Sequence, residues 1–281
     1  MALQFCLTVP AALLSAIIIS IKPPLKLWTT FYSLTVALLD VLVLEQIQFS
    51  YRKTAAKTQE LFDCELLNIE WNTTRSGVKP DTEEIVHAAA RYRKKHPKME
   101  KLLNWYPVSV GKVPQPLARL ICQRTNCWWD SSLRKKYANI LLLILIVIVI
   151  AVFSISLSEN LKVEQMILTV YAPIAPAVLW SVREIHRQRE AVGSLDTLRT
   201  HIDSVWTDAI KSKLTLQDLE SESRRIQDIV LDSRSKNPMI FDFINNIIRS
   251  RHQVSMNAKA EEMVNEAIGS NSTSHFSGNR H

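Results

Sequence analysis

The sequence predicts an all-α integral membrane protein: two transmembrane helical hairpins with helical cytoplasmic segments. Three observations carry this. Residues 5–21, 27–44, 138–157 and 166–182 are apolar runs, broken by a single carboxylate at Asp40. Each is near the roughly 20 apolar residues that a spanning helix needs. The charge, 34 Lys+Arg against 27 Asp+Glu, falls almost wholly in two blocks between and after the runs. The mean hydropathy of +0.01 therefore averages two populations, which excludes a simple soluble globule.

The first run ends at Lys22-Pro23-Pro24, where proline removes a donor and restricts its neighbour. A cleaved signal peptide is the other reading of this run. The absence of Lys or Arg before its apolar core argues against that. Residues 22–26 and 158–162 are short connections, so the runs pair as hairpins over 1–44 and 138–182. Basic residues then set the orientation. The connections hold Lys22, Lys26 and Lys162, whereas Arg52, Lys53, Arg134, Lys135, Lys136, Arg183, Arg187 and Arg189 crowd the opposite span ends. Segments 45–137 and 183–281, and both termini, are expected in the cytoplasm. The four cysteines show no disulfide framework, consistent with a reducing compartment.

Within the second run, Thr29, Ser33 and Asp40 fall on one helical face. A carboxylate in lipid is costly and usually faces a bundle interior or water. These three residues are candidates for lining a conduction path; the alternative is that Asp40 reaches the headgroups. Pro173 and Pro176 predict a bend in the fourth run.

Segment 45–137 is expected to open with a helix from Glu45 towards Leu67, continuing the second span. Asp81 or Thr82 caps a further helix running through Ile85, Tyr92 and Met99. Its Arg91, Arg93, Lys94, Lys95, Lys98 and Lys101 suit anionic headgroups or an anionic nucleotide; nucleic acid is the weakest fit. Before the third span, Gln123, Asn126, Asp130, Arg134 and Tyr137 form one polar stripe, with Asp130 and Arg134 spaced for an i,i+4 pair. Such residues must satisfy one another or a ligand. Both readings, an interhelical network and a ligand site, stay open.

In 183–268, Ala191, Leu195, Leu198, Ile202, Val205 and Ala209 follow a coiled-coil-like spacing. Thr215 and Asp218 form a capping box, and Lys236-Asn237-Pro238 stops the helix that it opens. Residues 269–281 are rich in Gly, Ser, Asn and His and are expected to be a disordered tail. The five glycines are too scattered for a phosphate loop, and no nucleophile-elbow or zinc-protease motif is present, which argues against an enzyme. No metal site or cofactor is expected.

The order of motifs is specific. Gln59-Glu60-x-Phe62-Asp63 and Trp71-Asn72 follow the second span, and Trp105-Tyr106-Pro107 sits mid-segment. Gln123-Arg124-x-Asn126, Trp129-Asp130 and Leu133-Arg134 precede the third span; Gln227-Asp228 and Arg234 to Pro238 follow the fourth. Over about residues 45–260 the chain resembles the bacterial four-transmembrane effectors of nucleotide second-messenger defence systems, of SMODS or CBASS type, in the SLATT superfamily. It departs from them at its start, where the first span begins without a cytoplasmic arm.

The resemblance implies a pore-forming or membrane-disrupting effector of antiphage defence in the bacterial inner membrane. Its activating ligand would be a cyclic nucleotide made by a companion nucleotidyltransferase. Four spans enclose little space, so a pore would form between subunits of a homo-oligomer in the bilayer. Trp105, Tyr106, Gln123, Arg124, Asn126, Asp130 and Arg134 are the candidates for sensing or coupling. Arg124 suits a phosphate through its two-pronged guanidinium, and a Trp or Tyr can stack on a base. A constitutive small channel or transporter, and a membrane-anchored scaffold without flux, are the other classes.

Overall fold

The computed structural model describes residues 26–99, 102–158 and 171–277, and every element among them is helical. The first apolar run, Lys101 and the start of the fourth run lie outside the described residues. Helix α1 (Lys26–Leu39) leads through a π-helical turn (Asp40–Leu44) into α2 (Glu45–Leu67). This matches the expected continuation of the second run to Leu67. Thr29 and Ser33 lie on α1 and Asp40 opens the π turn, but their side chains lie outside the described residues.

Next comes the one-turn α3 (Thr73–Ser76), closed at both ends by the Trp71-Asn72 motif. The Asn72 carboxamide oxygen accepts from the amides of Thr74 and Arg75 at 3.1 and 3.3 Å, satisfying donors that a helix start leaves open. The Trp71 indole donates to the Gly77 carbonyl at 2.9 Å. Gly77 stops the turn at φ 67°, in the left-handed region that favours glycine.

Helix α4 (Thr82–Lys95) starts at Asp81, whose carboxylate accepts from the Glu83 amide at 2.9 Å. It ends sooner than the sequence reading has it. His96 precedes Pro97, which disfavours the α conformation, and Met99 sits at φ 48°. No residue of α4 is buried, so its basic face is solvated.

A 3₁₀ turn (Val108–Lys112) precedes α5 (Gln115–Ser158), α6 (Ala172–Ile210), α7 (Leu216–Lys236) and α8 (Asp242–Ser277). The capping box forms: the Thr215 amide and hydroxyl donate to Asp218 at 2.9 and 2.7 Å, and the Asp218 amide donates back at 3.1 Å. Helix α7 stops at the expected Asn237-Pro238 break. Helix α8 runs through residues 269–277, where the sequence suggests a disordered tail. Buried Ala260, Met263, Val264 and Ala267 anchor its preceding turns, and the Ser270 hydroxyl donates to the Ala267 carbonyl at 2.9 Å.

The chain forms two compact units. Among the described residues, the second comprises 52–99, 102–132, 192–236 and 246–277. Its core takes Leu120 and Ile121 from α5, Leu195, Leu198, Ile202, Val205 and Trp206 from α6, Ile226 and Val230 from α7, and Met263 and Val264 from α8. The 4-3-4-3 stripe on α6 is the inward face, as its spacing predicts. Burying each Leu or Ile contributes about 1.5–3 kcal/mol, so this stripe orients α6.

Among the described residues, the first unit holds 26–51, 133–158, 171–191 and 237–245. There α5 is apolar on all sides and open: Leu143, Val147 and Ile150 are 63, 57 and 60% exposed. Within α5, Gln115–Ser154 is long and apolar enough to cross a membrane.

Candidate functional site

Two carboxylates lie at the centre of the second unit. Helix α2 buries Ala56, Glu60, Asp63 and Leu67 along one face, the 4-3-4 spacing of an inward stripe. Glu60 and Asp63 are 0 and 1% exposed. Such carboxylates persist only when paired and hydrogen-bonded. Helix α7 supplies the partners. Arg224 donates to Glu60 at 2.7 Å, and also to Asp228 and the Glu70 carbonyl. Arg234 donates to Asp63 at 2.6 Å. Gln227 lies between them, its amide reaching Glu60 at 2.8 Å and Asp63 at 3.1 Å.

The network continues to other motif residues. The Tyr106 hydroxyl donates to Asp63 at 2.7 Å and accepts from the Asn126 amide at 2.6 Å. Gln123, fully buried, donates to the Gln227 side chain at 3.1 Å and the Ser223 carbonyl at 2.7 Å. Asn72 donates to Asp228 at 2.9 Å.

The electrostatics are those of a closed ionic cluster. Burial pushes the Tyr106 hydroxyl well above its ordinary range, with the Asp63 charge adding to the effect. Burial and then the Glu60 charge raise the Cys64 thiol to about 11. Burial is the largest influence on Arg234 and works against its charge, but the Asp63 charge and hydrogen bond, with Tyr106 and Glu60, together outweigh it and hold the guanidinium above its usual value. These groups keep one protonation pattern across the neutral range.

The candidate sensing residues fall in different places. Tyr106, Gln123 and Asn126 belong to the cluster. Trp105 is 42% exposed. Arg124 turns away from the cluster, pairs with Asp203 and lines a separate cavity. Asp130 is half-buried in the second unit. Arg134 belongs to the first unit, where it donates to Gln188 at 2.8 Å and to the Pro238 carbonyl at 2.7 Å. Gln188 in turn donates to Glu184 at 2.8 Å. The polar stripe thus serves two hydrogen-bond systems, because it straddles the unit boundary in α5 between residues 132 and 133.

Reading the sequence for sites missed Glu60, Asp63, Arg224, Gln227 and Arg234 as a set. A signal was present. Carboxylates at core positions of an Ala56–Leu67 stripe are out of place, as are Ser223, Gln227 and Arg234 on the buried face of α7.

Known proteins bear on this arrangement. Residues 1–263 match the SMODS-associating 4TM effector domain. A relative in Bacillus cereus, described as a probable CBASS effector molecule, is 22% identical over 187 residues. The match covers 66% of this chain and 61% of that protein. No solved structure matches. Of the motif residues, Glu60, Asp63, Tyr106, Gln123, Asn126, Gln227 and Arg234 meet in the buried cluster, and the chain belongs to the SMODS-associating 4TM effector domain family.

Proposed function

We propose that this protein is a non-enzymatic effector of a bacterial antiphage defence system that disrupts the inner membrane when a cyclic nucleotide binds. One observation carries the reading. Helix α5 is a single 44-residue helix whose early residues are locked among buried polar groups and whose later residues are apolar and exposed. Such an exposed stretch in water would be an aggregation hazard; in a bilayer it is ordinary. The family match and the described CBASS effector relative support the defence setting.

In this reading four spans form two hairpins, with both termini and both large segments in the cytoplasm. A companion nucleotidyltransferase makes the messenger. Subunits assemble, and Thr29, Ser33 and Asp40 line the path between them. The ionic cluster sets the position of α2 and α5 in the resting state.

The test is dye leakage from liposomes carrying the purified chain, with and without a panel of cyclic di- and trinucleotides. Leakage with one nucleotide, and changed ion selectivity in Asp40→Asn, are the expected results. Leakage without any nucleotide would point instead to a constitutive channel. Folded, inserted protein that never leaks would point to a scaffold.

A further inference from the structure

The carboxylates of the buried cluster are paired by its own residues. A different place in the second unit is open to a ligand. Helices α5, α6 and α8 enclose a cavity of about 420 Å³, within the size range of small-molecule sites. Its walls include Arg124 and Trp128 from α5, Arg199 and Asp203 from α6, and Ser255 and Lys259 from α8. Three cations therefore line it against one carboxylate.

Each cation has an acidic neighbour. Arg124 pairs with Asp203, Arg199 lies 3.6 Å from Asp196, and Lys259 lies 2.6 Å from Glu262. The Arg124–Asp203 pair is asymmetric: the arginine side chain is 13% exposed and the aspartate 44%. Asp203 can return to water at low cost, while Arg124 stays desolvated and needs an anion. An incoming anion can thus replace Asp203. Arg124 offers a planar fork and Lys259 a point charge, a combination that suits the several oxygens of a phosphate. The Trp128 indole supplies a ring at the same wall, tilted against His252 with centroids 5.3 Å apart.

We propose that this cavity binds a phosphate-bearing ligand with a planar ring: the phosphate takes the place of Asp203 on Arg124 and reaches Arg199 and Lys259, and the ring packs on Trp128. The assignment rests on the nucleotide-signalled reading for the source of the phosphate. It names Trp128, Arg199 and Lys259, which the sequence reading did not, and keeps Arg124 from the sequence candidates.

The experiment uses the full chain in neutral-lipid nanodiscs, with binding followed by calorimetry. The probes are the cyclic di- and trinucleotides and glycerol phosphate as a headgroup mimic. The Arg199→Gln/Lys259→Gln double variant removes two partly exposed charges, and an unchanged Tm without ligand shows that it folds. The expected result is one nucleotide bound by the wild type, about 100-fold weaker binding in the double variant, and about tenfold weaker binding in Trp128→Leu. Equal nucleotide affinity in wild type and double variant, with leakage intact, would overturn the site but not the function. Glycerol phosphate binding that the double variant loses, without nucleotide binding, would keep a phosphate site and overturn the nucleotide reading. No binding of either probe to the wild type would overturn both.

Discussion

Arg234 illustrates how a residue's worth depends on what it leaves behind. Its guanidinium is the cation bonded to Asp63, a carboxylate 1% exposed to water. Removing one member of a buried pair costs about 3–5 kcal/mol, because the other charge stays desolvated. Arg234→Met should therefore lower the Tm of the purified chain in detergent by several degrees. Adding Asp63→Asn should restore part of the loss, since the amide is neutral and its oxygen still accepts from Tyr106, although its nitrogen then meets the Gln227 amide donor. A double variant no more stable than Arg234→Met would show that the pair matters for shape rather than charge. At this scale much of the site escaped the sequence. Asp63 and Arg234 are 171 residues apart, and local periodicity says nothing about which cation meets which carboxylate.

Elements were more legible, because caps and breaks are local. Asp81, Thr215 and Asp218 act at helix starts as their types and spacing imply. Leu195, Leu198, Ile202 and Val205 of the 191–209 stripe are buried because its period matches the helix. The end of α4 was misplaced since apolar Met99 extended the pattern past Pro97, and backbone sterics won. Asn72 gives the test at this scale. Its side chain caps α3 and bonds Asp228, so it ties a turn to α7. Asn72→Ala should cost about 1 kcal/mol through the lost cap. It should also speed amide exchange at Thr74 and Arg75. Unchanged exchange there would mean that the Trp71–Gly77 bond holds the turn without it.

For the whole molecule, the distribution of charge sets the expectation. Basic residues flank the apolar runs on one side, which predicts a cytoplasmic location for segments 45–137 and 183–281. Single cysteines introduced as Lys79→Cys and Lys236→Cys should resist a membrane-impermeant maleimide on intact spheroplasts and react after lysis. Cys64, Cys122 and Cys127 are buried and contribute little background. Labelling of either site from outside would reverse the proposed topology. The all-helical class was legible from four charge-poor runs, whereas the division into two units was not. Four of its five cuts fall inside continuous helices, where no break in the sequence marks them; the fifth coincides with the Asn237-Pro238 break.

The separation of the paired charges also bears on how the chain is made. Glu60 and Asp63 leave the ribosome early, and their cations follow 164 and 171 residues later. At about 5–20 residues per second, the carboxylates wait roughly 10–30 s for a counter-charge. By then all four apolar runs have been synthesised. A chain cut short before α7 carries the membrane-seeking segments without the arginines that close the cluster. Synthesis of α7 is thus the event that first lets the cluster close, and a copy that stops short of it keeps two carboxylates without their cations.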